Sequence, residues 1–176
     1  IQLYEALERY NFDVFLDTHS IKQGEPFQEE LWHRMTDCDV IVLLNTQGFM
    51  ESKWCKEEIA EANAKQIGIL QLIWPEHKLE ATNEICFPNQ LKESDFEEDN
   101  FQNPRSSKLL ESVIQNIISR VESLRARNLA SRQDNLITDF LQAARKSGKQ
   151  LNLQPERIIT DDIGFKKRRL FIPSIG

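Results

Sequence analysis

Two short apolar runs restrict the fold more than any other feature of this 176-residue sequence. They read DVIVLLN at 39–45 and IGILQLIW at 67–74. Continuous apolar runs of this length are typical of buried strands in a parallel sheet, which helices cover on both faces. Residues 53–66 lie between the two runs and carry apolar residues at helical spacing. The order strand, helix, strand predicts an α/β fold, a parallel sheet with helices on both faces.

The flanking segments extend this pattern on either side. Residues 1–10 have apolar residues at helical spacing but no capping residue, so we expect a further segment before Ile1. The run FDVFLD at 12–17 predicts another strand, which ends on an acidic residue. A short strand is also expected near EICFP, at 84–88.

The last third of the sequence predicts helices and then strands. Ser106 or Ser107 is expected to cap a long amphipathic helix that ends near Leu124. The polar stretch ARNLASRQ that follows predicts a joint, after which Asp134 caps a second helix. The stretches LNLQPERII and RRLFIPSIG then predict two strands around a turn at DDIGF.

The distribution of charge divides the sequence near residue 124. Residues 1–124 contain 11 Lys and Arg against 23 Asp and Glu, whereas residues 125–176 contain 11 against 5. We therefore expect one domain over 1–124, and over 125–176 a basic helical linker with the start of a second small domain, a C-terminal α+β extension. The basic residues of the extension are not interleaved with aromatic residues, so a nucleic-acid partner is not expected.

The composition is that of an ordinary soluble globular protein. With 40% hydrophobic and 28% charged residues, the sequence has no apolar run long enough to cross a membrane and no secretory signal. We therefore expect a cytoplasmic protein that does not bind a membrane. The three cysteines are widely spaced, so neither a disulfide framework nor a metal site is predicted.

The segment FMESKWCKEEI at 49–59 raises the question of whether one of its glutamates acts chemically. Ser52 is a plausible cap for the helix that follows, in which Glu57 and Glu61 stand between Lys53 and Lys65 in an i, i+4 ladder on one face. Glu58 belongs neither to that ladder nor to the apolar face, and it lies one turn after Trp54. From spacing alone, Glu58 is either a solvated helical glutamate or part of a ligand site at the carboxyl edge of the sheet.

Three pieces in this order resemble a Toll/interleukin-1 receptor (TIR) domain of bacterial type. They are the strand and loop FDVFLDTHSIKQGEPF, the strand CDVIVLLN, and the pattern S-x-W-C-x-x-E that opens the next helix. The resemblance covers about residues 1–124 and implies a flavodoxin-like fold. The first strand of that fold would precede Ile1, so the domain is expected to be incomplete at its N-terminus.

The resemblance also implies functional residues. In NAD-cleaving members of the family, the glutamate four residues after the signature tryptophan is catalytic, which corresponds to Glu58 after Trp54. Asp17 matches an acidic residue of the nucleotide pocket. Ser20 and Ile21 lie on the matching loop, which covers the pocket and takes part in assembly.

The activity implied is cleavage of NAD to nicotinamide and ADP-ribose or a cyclic variant, with NAD as substrate, no cofactor and no metal. The resemblance further implies self-association into a homo-oligomer or filament, control by an activating regulator or second-messenger sensor, and a role in bacterial immune defence. The alternative is a non-enzymatic signalling adaptor that acts by association between TIR domains. A Ser/His/Asp hydrolase is not supported, because the G-x-S-x-G pattern is missing.

Overall fold

The computed structural model describes residues 1–16, 37–46, 53–65, 67–77, 86–104, 106–155, 157–163 and 167–172. The chain divides into two compact units, Ile1–Arg125 and Ala126–Gly176. The described helices are α1 (Gln2–Arg9), α2 (Lys53–Ala64) and α3 (Glu111–Lys146), with short 3-10 turns at Glu93–Asp95 and Glu97–Asp99. The described strands are β1 (Val40–Asn45), β2 (Gly68–Ile73), β3 (Cys86–Gln90), β4 (Asn152–Leu153), β5 (Ile159–Asp162) and β6 (Arg168–Phe171).

The first unit is built on a parallel sheet in the order β1-β2-β3. Val40 pairs with Gly68 at the start of β1 and β2, and Ile69 pairs with Cys86 at the start of the β2–β3 ladder. All six residues of β2 are buried. The predicted strands at 39–45 and 67–74 and the short strand near 84–88 are confirmed.

Helices cover both faces of this sheet, as the sequence predicted. Alternate residues of β2 point to opposite faces. Leu70 and Leu72 join a core cluster with α1 and α3, whereas Ile69 joins Ile59 and Ala62 of α2 in a second cluster. The α/β class is therefore confirmed, with α1 and α3 on one face and α2 on the other.

The segment at 12–16 differs from its predicted strand. Phe12 and Val14 are half-buried and pack against the core, Asp13 between them is exposed, and Phe15 and Leu16 are exposed as well. No ladder pairing among the described residues includes this segment, and it forms no strand. Alternation reports which side chains face the core, but a strand also requires a partner for its backbone groups.

Two predictions about α3 are wrong. The helix begins at Glu111, because the hydroxyl of Ser107 donates to the carbonyl of Asn103 at 2.9 Å and caps no helix, and Leu109 pairs with Phe96 in an isolated bridge. The expected joint at ARNLASRQ is also absent, since α3 continues as one helix of 36 residues. Alanine, arginine and glutamine are good helix formers, so a polar stretch need not interrupt a helix. Among the described residues, no helix is long and apolar enough to span a membrane.

The second unit contains the antiparallel sheet β4-β5-β6 beside the last turns of α3. Ile159 is fully buried, and the ring of Phe171 lies 5.2 Å from that of Phe140 on the helix. The extension is thus α+β. The turn expected at DDIGF is wrong for its first two residues, because Asp161 and Asp162 belong to β5. The stretch predicted as one strand is divided into β4 and β5, and between them the N–H of Gln154 donates to the carbonyl of Ile158 at 2.8 Å.

The close packing of α3 on β2 generates a stability prediction. A Cβ atom at Gly68 would lie 2.8 Å from Cγ of Leu124, which is itself buried. We expect Gly68→Ala to lower the free energy of unfolding by about 1–3 kcal/mol through overpacking, measured by denaturant unfolding. Leu124→Ala should cost about 2–5 kcal/mol by leaving a cavity.

Because both substitutions act on one contact, the double variant should lose less stability than the sum of the two single variants. Strict additivity in this cycle would contradict the contact.

Candidate active site at the carboxyl edge of the parallel sheet

The carboxyl ends of the three parallel strands meet in one row. Asn45 is in register with Ile73, and Ile73 is in register with Gln90. The backbone N–H of Trp74 donates to the carbonyl of Asn45 at 2.9 Å, and that of Leu91 donates to the carbonyl of Ile73 at 2.8 Å. The side-chain amide of Gln90 lies 3.2 Å from the carbonyl of Trp74 and 3.4 Å from that of Ile73. This edge of the sheet is therefore an ordered platform, at the position where open α/β sheets bind ligands.

Helix α2 runs back along the sheet and begins at the same edge. Its end is joined closely to the start of β2, because the N–H of Ile67 donates to the carbonyl of Ala62 at 2.9 Å. Twelve helical residues span about 18 Å and six strand residues about 20 Å, so the helix is about as long as the strand beside it. The first turn of α2 therefore lies near the carboxyl edge.

Trp54 and Glu58 occupy consecutive turns of α2, and the structure describes their backbone positions. Trp54 belongs to the first turn, at the edge of the sheet, and Glu58 to the second. Glu58 directly precedes Ile59, which is buried against the sheet. Glu61 forms an ion pair with Lys65 at 3.0 Å, as the predicted ladder requires. The helical spacing places Glu58 at the border between the buried face and the ladder.

A second feature is an open cavity of about 500 Å³ formed by α1 and the segment that follows it. The cavity is lined by Ile1, Tyr4, Glu5, Val14, Phe15 and Leu16. Its wall combines apolar side chains with one phenol and one carboxylate. The phenol donates a hydrogen bond to Glu8, and this bond, assisted by burial and by the charges of Glu8 and Asp13, raises the pKa of Tyr4. Among the described residues the lining reaches Leu16, which directly precedes the predicted pocket residue Asp17 in the sequence.

The structure describes Trp54 and Glu58 but not the other predicted site residues. The backbone of Trp54 and Glu58 is described, within α2. Asp17, Ser20 and Ile21 lie outside the described residues. Their assignment to the pocket and to its covering loop stays a prediction.

The α2 side of the sheet also holds polar residues that sequence reasoning did not use. Asn45 at the end of β1 and Gln71 in the middle of β2 are both buried, and both face α2 by strand alternation. Within α2, the side-chain amide of Asn63 is buried with no hydrogen-bond partner among the described residues. A glutamine within the otherwise apolar run ILQLI is the signal that would have identified Gln71.

By contrast, Trp74 at the same edge is a packing residue. It is buried, its ring lies 4.7 Å from that of Phe96, and its indole N–H donates to the carbonyl of Phe101 at 2.7 Å. The side chain belongs to the cluster on the α1 and α3 face of the sheet. Its role is to close the core beneath the edge.

In the part of the chain that the structure describes, no group of three or more His, Cys, Asp and Glu side chains is arranged to hold a metal ion. Cys38 and Cys86 are half-buried thiols.

Comparison with protein families supports the sequence-based resemblance. The family model described as TIR domain matches residues 1–110. The chain belongs to the TIR domain family. The match covers α1, the parallel sheet and α2 and ends directly before α3, whereas the antiparallel sheet of the extension lies beyond the matched residues. No solved structure gives a significant match to this chain.

The side-chain amide of Gln90 lies beside the backbone carbonyls of Ile73, Trp74 and Leu91, and we call this contact the amide clamp. It gives a testable prediction for the edge of this TIR domain. Gln90→Glu keeps the size of the side chain but places a carboxylate oxygen beside the carbonyls of Ile73, Trp74 and Leu91. We expect the free energy of unfolding to fall by about 1–3 kcal/mol, measured by urea unfolding. Asn89→Asp, the same change one residue earlier, is the control and should cost less; equal stability of Gln90→Glu and the parent would contradict the clamp.

The cavity gives a prediction about titration. Because the charge and hydrogen bond of Glu8 raise the pKa of Tyr4, Glu8→Gln should lower that pKa toward the ordinary value for tyrosine. The absorbance of tyrosinate against pH reports it, in a Tyr10→Phe background that leaves one tyrosine. Glu5→Gln is the matched control and should leave the pKa of Tyr4 unchanged. An unchanged midpoint in Glu8→Gln would show that the hydrogen bond is not formed in solution.

Proposed function

We propose that this TIR domain is an NAD glycohydrolase and that Glu58 is its catalytic carboxylate. The observation that supports the proposal is the position of Trp54 and Glu58 on consecutive turns of α2, a helix that begins at the carboxyl edge of the parallel sheet in a chain of this family. A carboxylate and an indole one helical turn apart suit a ligand that contains both a sugar and a flat ring.

The reaction needs only one carboxylate. The bond between C1′ of ribose and the ring nitrogen of nicotinamide breaks, and its electron pair neutralises the positive charge of that nitrogen. The sugar passes through an oxocarbenium-like state until water adds to C1′ and releases a proton; attack by an atom of the adenine ring instead gives a cyclic product. Since the leaving group needs no proton, the acid partner of ordinary glycosidases is dispensable. Glu58 stabilises the developing positive charge and accepts hydrogen bonds from the ribose hydroxyls.

The remaining predicted residues complete the binding site in this proposal. Trp54 offers an aromatic face to nicotinamide or adenine. Asp17, which follows the cavity-lining residue Leu16 in the sequence, binds the nucleotide. Ser20 and Ile21 belong to the loop that closes over NAD.

Assembly belongs to the same proposal. TIR domains self-associate as a family, and we propose that this one cleaves NAD when an activating regulator or second-messenger sensor brings copies together into a homo-oligomer or filament. Depletion of NAD would then serve bacterial immune defence. Assembly-dependent activity explains why a nucleotide pocket can be incomplete in one protomer, since a second copy can supply part of its wall.

The decisive experiment follows nicotinamide release from NAD by chromatography, using the full chain at high concentration or with a crowding agent. Glu58→Gln should reduce the rate by roughly 10²–10³-fold, which corresponds to about 3–4 kcal/mol of lost transition-state stabilisation. Glu57→Gln, the same change on the neighbouring half-buried glutamate, should leave the rate within a few-fold of the parent. Thermal unfolding of both variants verifies that they fold.

Equal rates in the parent and in Glu58→Gln would remove Glu58 from the catalytic role. If assembled parent protein releases no nicotinamide, the glycohydrolase proposal fails and the adaptor, which acts only by association between TIR domains, takes its place.

A further inference from the structure

Strand β6 presents a basic and apolar surface at one edge of the second unit. The order β4-β5-β6 places it at the edge of the sheet. Leu170 in β6 and Ile172, directly after the end of the strand, are 61% and 74% exposed. Lys167 and Arg168 precede them and are exposed as well. We call Lys167, Arg168, Leu170 and Ile172 the basic strand surface.

An exposed edge strand with apolar side chains is a natural place for another chain to bind. Its charge restricts the partner. The second unit contains ten Lys and Arg against five Asp and Glu, which gives a net charge of +5. Two copies of β6 would bring their lysines and arginines together, so pairing between identical strands is disfavoured by repulsion. The fitting partner is acidic.

The first unit of this protein carries such an acidic surface. Ile1–Arg125 contains 12 Lys and Arg against 23 Asp and Glu, a net charge of −11. Within it, Glu93, Glu97 and Glu98 are exposed on two successive 3-10 turns. We call these three glutamates the acidic turn surface.

The acidic turn surface is held in place by the core beneath it. Phe96, between the two turns, is only 2% exposed and forms an antiparallel bridge with Leu109. The N–H of Glu97 donates to the carbonyl of Lys108 at 2.8 Å, and the carboxylate of Asp95 accepts from the N–H of Lys92 at 2.8 Å. Its carboxylates therefore project from an ordered scaffold, which lowers the entropic cost of binding.

We propose that the basic strand surface of one copy binds the acidic turn surface of a second copy of this chain. Opposite charges on the two units make the contact complementary, and the residues of both surfaces are exposed. The contact is heterologous, because the two surfaces are different. Repeated, it joins copies head to tail. It lies partly in the extension beyond the matched TIR residues and does not depend on NAD cleavage.

Sedimentation velocity of the full chain tests this contact. The mass of the parent should increase with protein concentration, and this association should weaken at least tenfold as salt rises from about 0.1 M to about 1 M, where the Debye length falls from about 10 Å to about 3 Å. Lys167→Glu with Leu170→Glu should abolish association, and so should Glu93→Lys with Glu97→Lys.

Matched controls change the same residue types elsewhere on each unit. Lys149→Glu with Leu136→Glu alters an exposed lysine and an exposed leucine of the second unit. Glu76→Lys with Glu122→Lys reverses two exposed glutamates of the first unit. Both controls should associate like the parent, and circular dichroism confirms that every variant is folded.

Mixing the two surface variants gives the sharpest result. Each variant retains one intact surface, so an equimolar mixture should form dimers that do not grow further, although each variant alone stays monomeric. A parent that is monomeric at all concentrations overturns the proposal. So does salt-sensitive association that survives either surface variant at the strength of the parent, or a mixture that associates no more than the separate variants, since all three results exclude a head-to-tail contact between these surfaces.

Discussion

The burial of β2 between two helical layers is the constraint on which the rest of the first unit depends. All six of its residues are buried, and its backbone pairs with β1 on one side and β3 on the other. Such a strand is stable only if apolar groups cover both of its faces. The packing of Gly68 against Leu124 shows how closely α3 approaches on one face, and Ile59 and Ala62 of α2 cover the other. A substitution on β2 that changes the size of a side chain therefore disturbs the packing on one of the two faces.

This arrangement also places the candidate active site. The short connection from α2 to β2 makes the helix return along the strand, so the first turn of α2 begins where the parallel strands end. Trp54 and Glu58 consequently occupy a helix whose position is set by the core and not by a loop. Opposite them, the row of Asn45, Ile73 and Gln90 is fixed by backbone pairing and by the amide clamp. The chemistry proposed for Glu58 requires such an ordered surrounding, because a charge-stabilising carboxylate acts through position more than through its own reactivity.

The charges of the protein follow the division into units. The first unit is acidic and the second basic. At the surface, charges of opposite sign contribute to recognition and association rate more than to stability. The asymmetry is therefore better explained by contacts that the protein makes than by the folding of either unit.

The sequence by itself determined the strands β1 and β2, the helix α2 with Trp54 and Glu58 one turn apart, and the short strand at Cys86, because each is written in a local pattern of apolar residues. It also determined the TIR family, because three motifs in fixed order are visible without a structure. Prediction from the sequence was wrong about a strand at 12–16, a helix cap at Ser107 and a joint within α3. It also did not find the buried Gln71 or the amide clamp of Gln90. Only the tertiary structure decided these, for one physical reason. Whether a backbone gains a ladder partner, whether a hydroxyl donates to Asn103 or caps a helix, and which carbonyls an amide reaches all depend on residues that become neighbours only when the chain folds.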